Sequence, residues 1–205
     1  MNKGVVTIKL DERWSLEDFS VFSKQYIQVY GFFFALRKIS ESNISLEYER
    51  MPWLGGASVV HFFNGMKSHI HPTHLPEVKR IQYASPGFIE LTALVEVAED
   101  IRNLVLAICA SGGAVGSTYH LIHSQYKKRQ LAQKKLKALN EKEDINFVRD
   151  SVLELHNKLK LNPKQVRSLN AISKGDQLVE LKMLMAMYRR AKPIAELQTS
   201  NKAQL

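Results

Sequence analysis

Cysteine is almost missing from this chain: Cys109 is the only one in 205 residues. An internal disulfide and a cysteine-built zinc site are therefore excluded. Cys109 sits in an uncharged stretch, where a thiol reads as a small hydrophobe, as expected in a reducing, cytoplasmic compartment. The first residues, Met1 to Lys9, hold no apolar run of signal-peptide length and no small-residue cleavage site, so secretion is not expected. Also missing are the Gly-x-Ser-x-Gly and His-Glu-x-x-His patterns, a phosphate-binding Gly-x-x-x-x-Gly-Lys loop and any repeat of solenoid period. These absences lean away from an enzyme, and no cofactor is expected. Aromatic residues are scarce between Tyr126 and Tyr188, with Phe147 the exception, which leaves little for base stacking there.

Charge has a gap of its own. No residue between Arg102 and Lys127 is formally charged, and six of the eleven residues from Lys127 to Lys137 are Lys or Arg. The net charge of +9 is uneven: residues 1–126 hold 11 basic and 12 acidic side chains, whereas residues 127–192 hold 17 and 7. Such asymmetry points to an anionic partner for the C-terminal third, or to a solvated basic helix surface. The gap is long enough for a bilayer-spanning helix, which needs about 20 residues. It is also polar enough for a buried helix, and Ser111-Gly-Gly113 suggests a break into two.

Periodicity supplies an architecture. Val5 to Leu10 is short and β-branched and reads as a strand. Ser15-Leu-Glu-Asp18 is a capping-box-like helix start, followed by apolar residues at Phe19, Phe22, Tyr26, Val29, Phe33 and Leu36. Strands are expected over Ile44–Arg50, which alternates, over Ala57–Phe63 before an Asn64-Gly65 turn, and over Val78–Ala84. Ser85-Pro86 then resembles an N-cap with proline at the first helical position, and the spacing Phe88, Leu91, Val95, Ala98, Ile101 predicts a long helix from there. Ile145, Val148, Val152, Leu155 and Leu159 form a helix seam. Asn162-Pro163 starts another helix, Ser173-Lys-Gly175 ends it, and Leu178 to Tyr188 belongs to a last one. The fold class is α+β: a small N-terminal β-α-β-β-β head (1–85), a long or broken helical segment (86–140), a helical basic region (141–192) and a frayed tail (193–205).

Four groups of residues are candidates for chemistry. Gly112, Gly113 and Gly116 would let another helix approach closely, and with the seam Ile145, Val148, Val152, Leu155 and Leu159 they form an expected partner or self-association surface. Lys127, Lys128, Arg129, Lys134, Lys135 and Lys137 are expected to face an anionic partner, nucleic acid or an anionic membrane surface. His61, and His69, His71 and His74 within His69-Ile-His-Pro-Thr-His74, have a spacing at which imidazoles bind zinc, with Glu77 as the nearby acid; a polar surface loop is the better reading, and no metal is expected. Ser85-Pro-Gly-Phe88 is read as a structural cap rather than an anion site, because Pro86 removes a donor.

The stretch Tyr83-Ala-Ser-Pro-Gly-Phe-Ile-Glu-Leu91, with Trp14 opening the first helix, resembles small, largely uncharacterised bacterial proteins with an α+β head and a long following helix. The resemblance covers about the first half of the chain. It implies a bacterial origin and a role in defence or signalling, and it brings no catalytic residues. The function expected is a non-enzymatic interaction or oligomerisation protein in the cytoplasm, binding itself or another protein. The alternatives are a nucleic-acid-binding module using the basic C-terminal helices and a membrane-associated effector inserting residues 104–122.

Overall fold

The computed structural model describes residues 2–11, 13–41, 58–84, 86–131 and 142–205, with residues 58–61 described as helical backbone only. Among them are seven helices and a four-stranded sheet, an α+β architecture with a strand head and long C-terminal helices. The elements are β1 (Lys3–Leu10), α1 (Leu16–Glu41), α2 (Ser58–Ser68), a 3-10 turn (Pro72–His74), β2 (Glu77–Gln82), β3 (Gly87–Leu94), α3 (Val95–Ala110), α4 (Ala114–Lys128), α5 (Lys142–Lys158), α6 (Pro163–Ile172), α7 (Gln177–Thr199) and β4 (Ala203–Gln204).

The sheet order is β2-β3-β1-β4 and every pairing is antiparallel. Strand β1 shows the alternation the sequence suggests. Ile8 and Leu10 are buried, while Lys3, Val5, Thr7 and Lys9 are exposed. Strand β3 is the central partner and overturns the expected helix start at Ser85-Pro86. Gly87, Ile89, Leu91 and Ala93 alternate toward the core, and β1 and β2 satisfy the backbone on both sides. Phe88, Leu91 and Val95 fit a helical period equally well, so the apolar spacing was ambiguous until the pairing resolved it. The helix begins only at Val95. Ser85 itself lies outside the described residues, as does the strand expected over 44–50.

Helix α1 starts as its first residues dictate. The Ser15 hydroxyl accepts from Asp18 N–H at 3.0 Å and Asp18 Oδ2 accepts from Ser15 N–H at 2.8 Å, a reciprocal cap. Its central residues are buried all round, including Phe32, Phe33 and Phe34, because α1 packs on α2, α3, α6 and α7. The strand expected over 57–63 is instead α2: Phe62, Phe63 and Met66 are buried, and Phe63 stacks on Phe32 with ring centroids 5.7 Å apart. The buried Tyr30 hydroxyl donates to the His74 carbonyl at 2.8 Å and accepts from Leu94 N–H at 3.0 Å, joining α1, the 3-10 turn and the end of β3.

Helices α3 and α4 meet at 89°. The break lies where two glycines stand, with Gly112 at φ 56° and Gly113 at φ 89°, left-handed values that L side chains rarely adopt. No single helix among the described residues is long and apolar enough to cross a membrane, and residues 104–122 are divided by this bend. On α3, Val97, Ala98, Ile101, Leu104, Val105 and Ala107 are buried inside the protein. A capping box at Asn162 and Gln165 starts α6, as Asn162-Pro163 predicts.

The C-terminal residues correct the expectation of a frayed tail. Helix α7 continues through Pro193 to Thr199, because Ile194, Ala195 and Leu197 are buried and their packing offsets a proline penalty of about 3 kcal/mol. Strand β4 then pairs with Lys9 and Leu10. The Lys202 carbonyl accepts from Trp14 Nε1 at 2.8 Å and from Asp11 N–H at 3.0 Å, and Lys202 Nζ lies 3.0 Å from Asp18 Oδ2. One hydrophobic cluster runs from Ile8 to Ala203 through all four expected segments.

The Ser15 backbone N–H and the Lys202 ammonium hold the Asp18 carboxyl below its ordinary range. A depressed carboxylate stabilises the fold above its unfolded pKa and loses that effect as pH falls through its folded value. Asp18→Asn should therefore lower stability by about 1 kcal/mol at neutral pH. Urea unfolding of the two proteins should converge as the pH is taken well below the normal aspartate range.

Candidate functional site

The α3–α4 bend lies against the C-terminal half of α7. Between them is an open groove of about 610 Å³. Ser111 builds its corner: its hydroxyl donates to the Ile108 carbonyl at 2.7 Å and accepts from Val115 N–H at 3.3 Å, linking the end of α3 to the start of α4. The floor is apolar, with Ile108, Cys109 and Ala195. Cys109 Sγ lies 3.5 Å from the Ala195 carbonyl and 3.5 Å from Thr199 Oγ1, which places it against α7 as the small hydrophobe its sequence position suggests. Along the rim stand His120, Lys192 and Glu196, the last two paired at 3.2 Å.

Gly112, Gly113 and Gly116 all line this groove. Their roles differ. Gly112 and Gly113 make the turn, and a Cβ on either would meet nothing within 4 Å. Gly116 makes room, because its Cβ would stand 3.2 Å from the Tyr188 hydroxyl. Tyr188 was legible only as an apolar position of the last helix, and nothing in its spacing told that its hydroxyl opens into a groove. Lys192 and His120 carried no signal either, since each lies one turn from its groove neighbour on a separate helix.

Beside the groove is a stacked cluster. The Tyr119 ring packs on His123 with centroids 5.4 Å apart and on Tyr188 at 4.6 Å, and Arg189 Nη1 donates to the Tyr119 hydroxyl at 3.3 Å. Burial, then Lys127 and Arg189, pull the His123 pKa down, so its imidazole is neutral at pH 7.

The seam on α5 is not a free surface. Val148, Val152, Leu155 and Leu159 are buried inside the chain, where α5 packs on α7, and only Ile145 is substantially exposed. This corrects the expectation of a partner or self-association surface: the stripe packs on this chain's own last helix. That helix is itself largely enclosed, with Leu178, Glu180, Leu181 and most later residues buried.

The basic candidates also divide. Lys127 and Lys128 are exposed at the end of α4. Arg129 is not available to an outside anion: its Nη1 lies 2.7 Å from the buried Asp144 carboxylate and its guanidinium stacks on Phe147 at 5.2 Å. Lys134, Lys135 and Lys137 lie outside the described residues.

The histidine cluster is not assembled as a metal site. His71 Nδ1 contacts Thr73 Oγ1 at 2.8 Å, His69 Nδ1 contacts the Gly65 carbonyl at 2.7 Å, and the His71 and His74 rings stand 6.2 Å apart. Among the described residues no three His, Cys, Asp or Glu side chains converge as metal ligands would. The His61 side chain lies outside the described residues.

Comparison with protein families, curated proteins and solved structures finds no match to this chain.

The left-handed backbone at Gly113 gives a direct test of the bend. Gly113→Ala should cost about 1 kcal/mol through backbone strain, since the added methyl meets no neighbour. Chemical unfolding should show that loss; an unchanged midpoint would mean the bend does not need glycine.

Proposed function

We propose that this chain is a non-enzymatic interaction protein and that the groove at the α3–α4 bend is where it takes a short segment of a partner protein. The observation that carries this reading is the groove's construction. Two glycines bend the chain, a third keeps the space beside Tyr188 clear, and an apolar floor is rimmed by His120 and a Lys192–Glu196 pair. Apolar floors with a few placed polar groups are the usual make-up of recognition sites. A trough of about 610 Å³ suits a few residues of extended chain rather than a whole helix. Cys109 on its floor is packed against α7, and the nearby His123 is stacked on Tyr119.

The reading is tested by screening the full chain against a display library of random peptides, with Gly116→Leu as the counter-screen. Selected peptides should bind the wild-type protein and lose at least about tenfold in affinity for the variant, because the leucine occupies the floor beside Tyr188. Peptides that bind both proteins equally, with thermal melts showing both folded, would place recognition elsewhere.

A nucleic-acid reading is supported by a different surface. Lys127 and Lys128 are exposed near the Tyr119–His123–Arg189 cluster, and the field of Lys127 reaches His123. If this face binds a duplex, affinity should fall with salt, and Lys127→Glu/Lys128→Glu should reduce the log–log salt slope by about 1.8 through two lost phosphate contacts. A slope that does not change removes these lysines from any such interface.

A further inference from the structure

The inner end of the groove holds two hydrogen-bond donors with no acceptor among the described residues. Helix α4 has Gly113 at its N-cap and no side-chain cap. In its first turn, Ala114 N–H bonds the Ser111 carbonyl at 2.9 Å, Val115 N–H bonds the Ser111 hydroxyl at 3.3 Å and Ser117 N–H bonds the Gly113 carbonyl at 2.9 Å. The N–H of Gly116 has no acceptor among the described residues. Next to it is the Tyr188 hydroxyl, also without a hydrogen-bond partner among the described residues, on a side chain whose residue is only 2% exposed. The hydroxyl stands 3.2 Å from the point a Gly116 Cβ would occupy, so amide and phenol border one small space that glycine keeps open.

The groups that face the groove here are a phenol with a hydroxyl to donate and the main-chain N–H of the half-buried Gly116, at the positive end of a 15-residue helix. Burial pushes the phenol's pKa up, more than the nearby Lys192 pulls it down, so Tyr188 keeps its proton at neutral pH. The complementary ligand brings acceptors and negative charge. Net charge then separates the candidates. Among the described residues of the groove lining, Lys192 has a carboxylate already beside it, Glu196 at 3.2 Å, and His120 is the other basic side chain. A dianionic phosphate would find too little positive charge, whereas a carboxylate brings one charge and two oxygens for two donors. Ile108, Cys109 and Ala195 on the floor suit an aliphatic substituent on that carboxylate.

We infer that Gly116, Tyr188 and the N-terminus of α4 form a carboxylate site, which holds the carboxylate of an aliphatic acid, either a small molecule or the C-terminal residue of an apolar peptide. The inference rests on reading the groove as a binding surface and names the chemistry that anchors its ligand. Backbone N–H groups that capture a chain's terminal carboxylate are a recurrent mode of peptide recognition.

The test uses the full ¹⁵N-labelled chain and follows the Gly116 amide resonance. Sodium isovalerate should shift it saturably, and the neutral isosteric amide, isovaleramide, should not. Tyr188→Phe, which keeps the ring and its packing, should weaken isovalerate binding by at least about fivefold while the protein stays folded. Acetyl-Ala-Ala-Val as the free acid separates the two sources. Tighter binding than isovalerate identifies a peptide terminus, and equal or weaker binding identifies a small acid. Three results would overturn the site: no isovalerate shift up to tens of millimolar, an equal response to isovaleramide, or a response to inorganic phosphate at lower concentration. Should library peptides with amidated ends still occupy the groove and be excluded by Gly116→Leu, the carboxylate site falls and the broader reading of the groove stands.

Discussion

Helix α7 is enclosed along most of its length, and the positions of the other helices follow from that enclosure. Helices α1, α3, α5 and α6 all pack on it. Leu181, Met183, Leu184, Ala186, Met187, Ala191 and Ile194 lose all contact with water. Burial of this kind contributes about 25 cal/mol for each Å² of apolar surface removed from water, so one well-covered helix can orient several neighbours. It also imposes a demand, because α7 carries Arg190 into the interior. The guanidinium lies 3.7 Å over the Phe63 ring, donates from Nε to Gln28 at 2.8 Å and from Nη1 to the Ala186 carbonyl at 3.1 Å. Burial, with the neighbouring Arg189, lowers its pKa to about 10. It therefore remains charged at neutral pH and joins α7, α1 and α2 through a ring and neutral acceptors.

Ion pairs inside the protein also hold helices together, and one of them uses Arg129 from the basic run after the charge gap. Arg37 pairs with the buried Asp100, joining α1 to α3. Arg129 pairs with the buried Asp144, joining the end of α4 to the start of α5. His156 Nε2 lies 2.8 Å from Glu180 Oε1 between α5 and α7, close enough for an ion pair although not aligned as a hydrogen bond. Removing one member of such a pair leaves a buried charge uncompensated, so these contacts define which helix lies beside which more than they add net stability.

The candidate site is a by-product of how α7 is held. Its buried side fixes Tyr188 and Ala195, while Lys192, Glu196 and Thr199 on the next turns reach the α3–α4 bend. The bend exists because Gly112 and Gly113 accept left-handed backbone, and the space beside it exists because Gly116 lacks a Cβ. Three glycines within five residues thus do different things: two turn the chain, and one spares a cavity.

Local chemistry was decided by the sequence alone. The caps at Ser15 and Asn162, strand β1, the strand over Glu77–Gln82, the break at Ser111-Gly-Gly113 and the last helix all follow from hydrogen-bonding side chains or backbone preferences acting over a few residues. Pairing and burial were decided by the tertiary structure. Residues 87–94 satisfy a helical and a strand pattern at once, and only neighbours on both sides made them the middle of a sheet. The residues after Pro193 are small and polar enough to fray, yet strand β1 and Trp14 supply partners that an isolated segment lacks. The α5 stripe fits any apolar surface, and folding brought this chain's own α7 to it first. Spacing states which face must be covered; what covers it, and which hydroxyl or amide is left open beside it, depends on residues distant in sequence that meet only in the folded chain.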